Sequence, residues 1–522
     1  MKTLQKPTLL ALLILLLAGC KLNDNYFINP SNITNPAQVG FGSLLQAAEL
    51  SAGAAAEMQA SRLAALWTRQ ATGVNRQHGG YQAFQISGTD MDAQWTTWYQ
   101  GALQPALQLK ANALAVNNRR YAGIARVLES YCYGMLADMF GDVPRTQSNN
   151  LVAFPQPAYD SQISVYQYVI TNLGTAISDL TAPASVPIPS SDDFFYQGDI
   201  ASWIALANSL RARYALHVAR NPGSIFSSSA VAYQQAATWA AVGIGSAVGS
   251  WRMPHGPTYL GNFNTWYSFL VYDRSGDVDG TNAYLGFLLD PSNTGPATSS
   301  QPSYRGNAKT DETGRFNYYY QALGAPGQYD LNYIWSGDFG TPSSSDGFLA
   351  ATASFPLMTY EETLLIQAEA LVRAGDFANS LVALNTLRAY YNTGAHLTAD
   401  YAALNGANPY QAYVAADFNS GGIENVGGAL TPNNALLREI MQERYVTLFC
   451  QFEALFDAFR TYDQPTTNAG SARTGNVAGV PFPIVGSGTQ FPVRLLYSQL
   501  ERNNNPNTPV TTLFTPRMGV NN

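Results

Sequence analysis

The sequence predicts a mainly α-helical fold: a tetratricopeptide-like scaffold of helical hairpins carrying one large, irregular, loop-rich insertion. Three observations predict it. Apolar residues recur three and four positions apart through two blocks, about 36–242 and about 356–460. The helical segments pair at intervals of roughly 35–40 residues, the length of a helix–turn–helix repeat. Between the blocks, Gly243 to Phe355 is dense in Gly, Pro, Ser, Asn and Tyr and sustains no period.

Taken in order, Pro36 to Met58 and Arg62 to Thr72 are rich in Ala and Leu with few β-branched residues, the composition of good helix formers. Trp95 to Val116 and Arg119 to Phe140 form a hairpin split by Asn117-Asn118. Ser161 to Leu180 and Ile200 to Arg220 form the next, separated by the Pro/Ser-rich "TAPASVPIPSSDD". A short helix is expected near Ala230 to Val242. A loop-like stretch as long as the insertion, inside a helical chain, marks either function or a subdomain of short elements. Helices resume at Thr359 to Ala374, turn at Gly375-Asp376 and continue from Phe377 to Tyr391. After a second polar insertion, Asn433 to Phe459 gives one long helix or two, and an irregular tail follows. The repeats share no consensus, so periodicity alone leaves an irregular helical domain open.

The N-terminus carries a different signal. Lys2 and Lys6 precede an apolar core, Thr8 to Leu17, of ten residues. A bilayer span needs about 20, so this core fits a secretory signal. Leu17-Ala18-Gly19-Cys20 resembles a bacterial lipobox, after which Cys20 becomes the acylated N-terminus. Two or three acyl chains hold a protein firmly at a membrane where one does so marginally. The expected organisation is a signal peptide at 1–19, a lipid-anchored tether at 20–35 and a single domain at 36–522. In that domain the scaffold covers about 36–242 and 356–460, a ligand-bearing subdomain about 243–355, and the tail 461–522.

Charged residues are only 12% of the chain, with a net charge of −7 and no basic run, which excludes a nucleic-acid surface. Aromatics are also 12%, including 31 Tyr and 8 Trp, set among abundant uncharged polar residues. Amides and hydroxyls beside aromatic faces suit neutral, hydroxyl-rich ligands. Cys132 and Cys450 lie within apolar helical patterns and are expected as two buried thiols rather than a disulfide. The four histidines are scattered without ligand spacing, and "DRSGDVDG" (Asp273 to Gly280) lacks the EF-hand pattern, so no metal or cofactor is expected.

Several separated stretches resemble one family. "YCYGMLADMFGDVPRTQ" (Tyr131 to Gln147) ends a helix with Gly141 and bars its continuation with Pro144. In "DDFFYQGDIASWIALANSLRARYALHVA" (Asp192 to Ala219), Asp199 is placed to cap a helix whose Trp203, Leu206, Leu210 and Tyr214 share a face. "MTYEETLLIQAEALVRAGDFANSLVALNTLRAYY" (Met358 to Tyr391), "ERYVTLFCQFEALFDAFRTYDQP" (Glu443 to Pro465) and "FPVRLLYSQLERNNNPN" (Phe491 to Asn507) follow in order. Together with the lipobox, these resemble the SusD/RagB nutrient-binding lipoproteins of bacterial outer membranes. Phe452, Ala454 and Ser498 depart from common family residues at packing positions, which bears on subfamily rather than fold.

The resemblance implies a non-enzymatic protein that binds a nutrient and delivers it to a SusC-like TonB-dependent transporter. Known members most often bind oligosaccharides, and others serve peptides or other nutrients. It also places ligand contacts on loops, here "NRQHGGYQAFQISGTD", "GNFNTWYSFLVYD", "RFNYYYQ" and "LNYIWSGD". The candidate platforms are Tyr81, Trp266, Tyr267, Tyr319 and Trp335, with Asn75 and Asn264 as polar partners; Trp95 or Trp98 could border the cleft. Glu361, Glu362 and Glu369, or Glu443 and Glu453, invite comparison with a glycosidase acid/base pair. Glu362 and Glu369, however, stand two helical turns apart on one helix, about 10 Å along its axis, which is scaffold spacing. Polar motif residues such as Asn208, Arg388 and Arg460 are expected to satisfy helix ends and buried partners. "AGSARTGNVAG" (Ala469 to Gly479) lacks a phosphate loop's Gly-Lys-Ser ending and reads as plain loop.

Overall fold

The computed structural model describes residues 39–183, 188–258, 261–298, 301–461 and 491–517. The signal peptide, Cys20, the tether and Ala469 to Gly479 lie outside these residues. From Phe41 onward the chain forms one unit. Its scaffold helices are α1 (Phe41–Glu57), α2 (Gln59–Trp67), α3 (Gln104–Ala115), α4 (Arg119–Phe140), α5 (Gln162–Leu180), α6 (Ile200–Val218), α7 (Ser229–Ala240), α8 (Tyr360–Arg373), α9 (Phe377–Asn392), α10 (Pro432–Thr447) and α11 (Phe452–Thr461).

Each helix packs on the next in a continuous series: α3 on α4, α4 on α5, α5 on α6, α6 on α7, α7 on α8 and α8 on α9. This is the tetratricopeptide arrangement, in which no hairpin can bury its apolar face alone. Local chemistry sets the boundaries. Ser161, Asp199, Ser228, Thr359, Asp376 and Thr431 each accept a backbone N–H at a helix start. Gly141 and Gly375 turn the chain at φ 84° and 90° beyond α4 and α8. Helix α4 is buried along almost its whole length, because α3, α5 and α6 cover it from different sides. Gly134 permits that approach: a Cβ there would meet the Tyr214 ring at 2.1 Å. Trp203, Leu206, Leu210 and Tyr214 of α6 are all fully buried, and Cys132 and Cys450 are free buried thiols.

The segment Asn433 to Phe459 resolves into α10 and α11, broken where Cys450 adopts a positive φ of 58°. The insertion's lack of period reflects short helices and short strands, which enter three two-stranded antiparallel ladders among the described residues. Strand β2 (Trp251–Met253) pairs with β6 (Phe355–Met358) and zips the two ends of the insertion together. Strand β1 (Thr72–Gly73), where the sequence predicts the end of a helix, pairs with β3 (Val278–Asp279), and β4 (Tyr320–Ala322) pairs with β5 (Tyr329–Leu331).

Buried ion pairs lock this insertion to the scaffold. Arg315 bonds Glu312 through Nε at 2.7 Å and Glu443 of α10 through Nη1 at 2.5 Å. Arg305 reaches Glu443 at 2.9 Å and Glu439 at 2.8 Å, and the Tyr410 hydroxyl donates to Glu312 at 3.0 Å. Burial opposes ionisation of Glu443, but Arg315 and Arg305 outweigh it and hold the carboxyl well below the usual range. Removing one partner of such a cluster strands the others in low dielectric. Arg315→Met is therefore expected to cost about 3–5 kcal/mol of stability, read as a lower urea midpoint. A loss under about 1 kcal/mol, the range of an exposed pair, would show that the cluster does not hold the insertion.

Candidate ligand-binding site

A solvent-facing aromatic cluster forms where two loops of the insertion meet. A short helix, Thr265–Ser268, runs directly into a π turn, Phe269–Asp273. Asn264 caps its start: Oδ1 accepts the backbone N–H of Trp266 at 2.9 Å, and Nδ2 donates to the Ala353 carbonyl at 2.9 Å. A π turn closes at i+5, which brings Tyr272 beside Tyr267. Both phenols donate to the same oxygen of Asp338, Tyr272 at 2.7 Å. Burial, reinforced by this carboxylate, pushes the Tyr267 phenol far above its usual range.

Trp335 packs its ring against Phe263 at 5.2 Å and Tyr267 at 5.8 Å, edge to face in both cases. Phe263 lies nearly parallel to Tyr272, 13° between planes, and Tyr333 and Val271 complete the packing. At the outer side Tyr272 is 41% and Phe339 50% exposed, with Trp335 and Tyr333 half-buried. Asp338 is exposed, and Asp330 accepts from the Tyr333 hydroxyl at 3.4 Å.

The exposed Asn75 loop is tied to this cluster through the β1–β3 ladder. The backbone N–H groups of Val74 and Asn75 donate to the Asp277 carbonyl. The buried Asp277 carboxylate takes Arg76 at 2.5 Å and His78 at 3.1 Å. Burial pushes the His78 imidazole down against the pull of Asp277. The His78 ring meets Phe269 at 5.1 Å, and the Arg62 guanidinium lies 4.5 Å over the same phenyl ring. That stack links the loop to the π turn bearing Tyr272.

The sequence-expected residues divide accordingly. Trp335 is half-buried, with Tyr267 packed against it and Asn75 on the linked loop. Asn264 is spent on a helix cap, and Trp266 is fully buried. Tyr81 is buried under α2, where its carbonyl accepts the Trp67 indole at 2.8 Å and its hydroxyl meets Asp90. Tyr319 stacks on Phe449 at 4.5 Å within the seam between insertion and scaffold. Trp98 is buried in the scaffold, whereas Trp95 edges a separate cleft. For the platforms expected at Tyr81, Trp266, Tyr267 and Tyr319, interior packing takes the ring: burial gains roughly 25 cal/mol per Å². The sequence alone does not single out Tyr272, Phe339 and Asp338. At 3.6 residues per turn, positions five apart point about 140° away from each other, so Tyr267 and Tyr272 pair only through the π turn.

The carboxylates that resemble an acid/base pair are held by arginines. Glu362 takes Arg213 at 2.8 and 2.6 Å, Glu369 takes Arg460 at 2.8 and 2.6 Å, and Arg444 bonds Asp457 at 2.7 Å. Arg388 bonds the Gln411 carbonyl and Asn208 that of Ile204. Among the described residues, one buried trio could by distance hold a metal: Asp138, His217 and Glu453. Both ring nitrogens of His217 already face carboxylates, Asp138 at 2.8 Å and Glu453 at 3.1 Å. Burial alone would depress the ring, but the two acids outweigh it and lift it to about 9, while Glu453 is held at about 2. With each ring nitrogen on a carboxylate, the described geometry is that of an ion triad, whose protonated ring would offer a cation no lone pair.

A packed helical-hairpin scaffold bearing an aromatic, loop-borne patch is the architecture of the SusD-like class of protein. Residues 30–483 match the SusD-like family described as starch-binding and associating with the outer membrane, and the chain belongs to that family. No curated protein matches it. A SusD/RagB family protein from Bacteroides thetaiotaomicron superposes with a TM-score of 0.61 at 19% identity, over 90% of this chain and 95% of that one. An outer-membrane protein from Bacteroides vulgatus, titled for nutrient binding, gives 0.60 at 17% identity over 91% and 94%. A SusD homologue from Bacteroides fragilis gives 0.61 at 15% over 90% and 95%. Family members are outer-membrane, nutrient-binding proteins; no helix among the described residues is long and apolar enough to cross a membrane.

The triad has a pH signature. Its folded His217 pKa of about 9 exceeds the ordinary 6.5, so its stabilisation is full below pH 6.5 and is lost as pH rises through 9. Melting temperature should fall across that window, and His217→Gln should flatten the fall without requiring metal. A zinc- or calcium-dependent rise in melting temperature that His217→Gln abolishes would instead make the trio a metal site.

Proposed function

We propose that this protein is an outer-membrane surface lipoprotein that captures an oligosaccharide and passes it to a SusC-like TonB-dependent transporter. The observation that carries the reading is the open ring cluster of Trp335, Tyr272, Tyr333 and Phe339 beside Asp338 and Asp330, in a SusD-like chain. Sugar rings present apolar C–H faces that lie on such planes, while their hydroxyls bond carboxylates and amides such as that of Asn75. Capture of this kind requires no chemical step. The rings are held at fixed angles by Asp338 and by the packing of Phe263, so little ordering cost falls on binding. Acylation at Cys20 would tether the body through the Asn-containing segment Lys21 to Asn35 and keep capture beside import.

Calorimetry of the detergent-solubilised protein against oligosaccharide and peptide panels tests the ligand. Trp335→Ala and Tyr272→Ala should each weaken saccharide binding about tenfold, the equivalent of roughly 1.4 kcal/mol, with the helical circular dichroism spectrum retained. Heat from peptides alone would reassign the ligand class, and silence across both panels would sink the capture reading.

The anchor is tested separately. Cys20→Ser should move the protein from the membrane to the soluble fraction and abolish incorporation of a labelled fatty acid. Retention of both would contradict lipidation at this residue.

A further inference from the structure

A second cleft, of about 450 Å³, opens between the π turn that leads into α3, the loop after α4 and the C-terminal segment. None of its lining residues belongs to the aromatic cluster. Its floor is apolar: the edge of Trp95, packed on Tyr99 at 4.8 Å, with Leu151 and Val152 forming one wall. Its polar lining is uncharged apart from Glu501, and no lysine, arginine or histidine faces it. Gln100 and Gln104 stand one helical turn apart on the exposed side of the π turn and α3. Asn149, in the left-handed region at φ 55°, and Asn150 add two further amides to the lining. Glu501 already accepts from Tyr159 at 3.2 Å and Asn505 at 2.8 Å, which fixes its carboxylate in place.

We infer that this cleft is a second saccharide-binding site, taking a short neutral glycan segment independently of the aromatic cluster. A sugar hydroxyl both donates and accepts, and so does each side-chain amide. The lining offers four such amides, Gln100, Gln104, Asn149 and Asn150. The volume lies within the usual range for small-ligand sites, about 300–1,000 Å³. The absence of a cation from the lining disfavours anionic ligands, and the apolar floor accepts C–H faces. Two separate sites on one chain would raise the hold on a polymer beyond that of either alone. The inference deepens the capture reading, and the test keeps the two apart.

The full chain in detergent, labelled with 5-fluorotryptophan, gives separate fluorine signals for Trp95 and Trp335, assigned with Trp95→Phe and Trp335→Phe. Maltoheptaose, cellohexaose, xylohexaose and the tripeptide Leu-Ala-Leu serve as probes. At least one saccharide should shift the Trp95 signal and still do so in Trp335→Ala. Gln104→Ala and Asn149→Gly should weaken that shift at least fivefold while leaving the Trp335 response intact; glycine keeps the positive φ, and alanine suits a helix. Silence of Trp95 across the saccharides, a response to the tripeptide alone, or loss of the shift in Trp335→Ala would overturn the second site. Movement of Trp335 with Trp95 silent would leave the primary site standing, and the converse would leave only the cleft.

Discussion

The structure depends on placing arginine–carboxylate pairs in its interior. Ionised groups there pay heavily for lost water, so each persists only where its geometry is complete. Arg315 and Arg305 come from the insertion, whereas Glu439 and Glu443 come from α10. Their pairing fixes where a long, weakly periodic segment meets a regular helical stack. Arg213, Glu362, Glu453 and His217 do the same among α6, α8 and α11, with Asp138 of α4 reached through the imidazolium. An apolar core alone would hold these helices together but tolerate sliding; paired charges with fixed directions do not.

This constraint explains the division of labour. The scaffold carries the buried acids that superficially suggest catalysis, and it commits them to arginine. The insertion, anchored at β2–β6 and at the Arg315 cluster, is free to present rings to solvent. Its aromatic cluster is rigid for its own reasons: a capped short helix, a π turn and one carboxylate shared by two phenols. Binding sites on loops over a rigid frame are common because the loops can vary without disturbing the core.

Much of the scaffold was legible because its signals are local. Helix α4 spans Arg119–Phe140 as its periodicity and flanking Asn and Gly residues indicate, and α8 and α9 fall within a residue of expectation around Gly375. The ladders of the insertion were not legible. Strands of two to four residues carry too little alternation to read, and Thr72 finds its partner at Asp279, more than two hundred positions away. The same limit applied to the site. The family resemblance pointed to loops that include the stretches bearing Trp335 and Tyr272, but residue type could not tell an outward ring from an inward one.

By itself, then, the sequence determined the helical class, the hairpin order and the family, since each is written in residue spacing or short contiguous motifs. Only the tertiary structure decided which rings face solvent, because that choice depends on what packs behind each one. Trp266 and Tyr319 are covered by neighbours distant in sequence, whereas Trp335 stays half-buried at the edge of its cluster. It likewise decided that Glu362, Glu369 and Glu443 are structural, since Arg213, Arg460 and Arg315, which hold them in that order, lie 149, 91 and 128 positions away and reach them only through the fold.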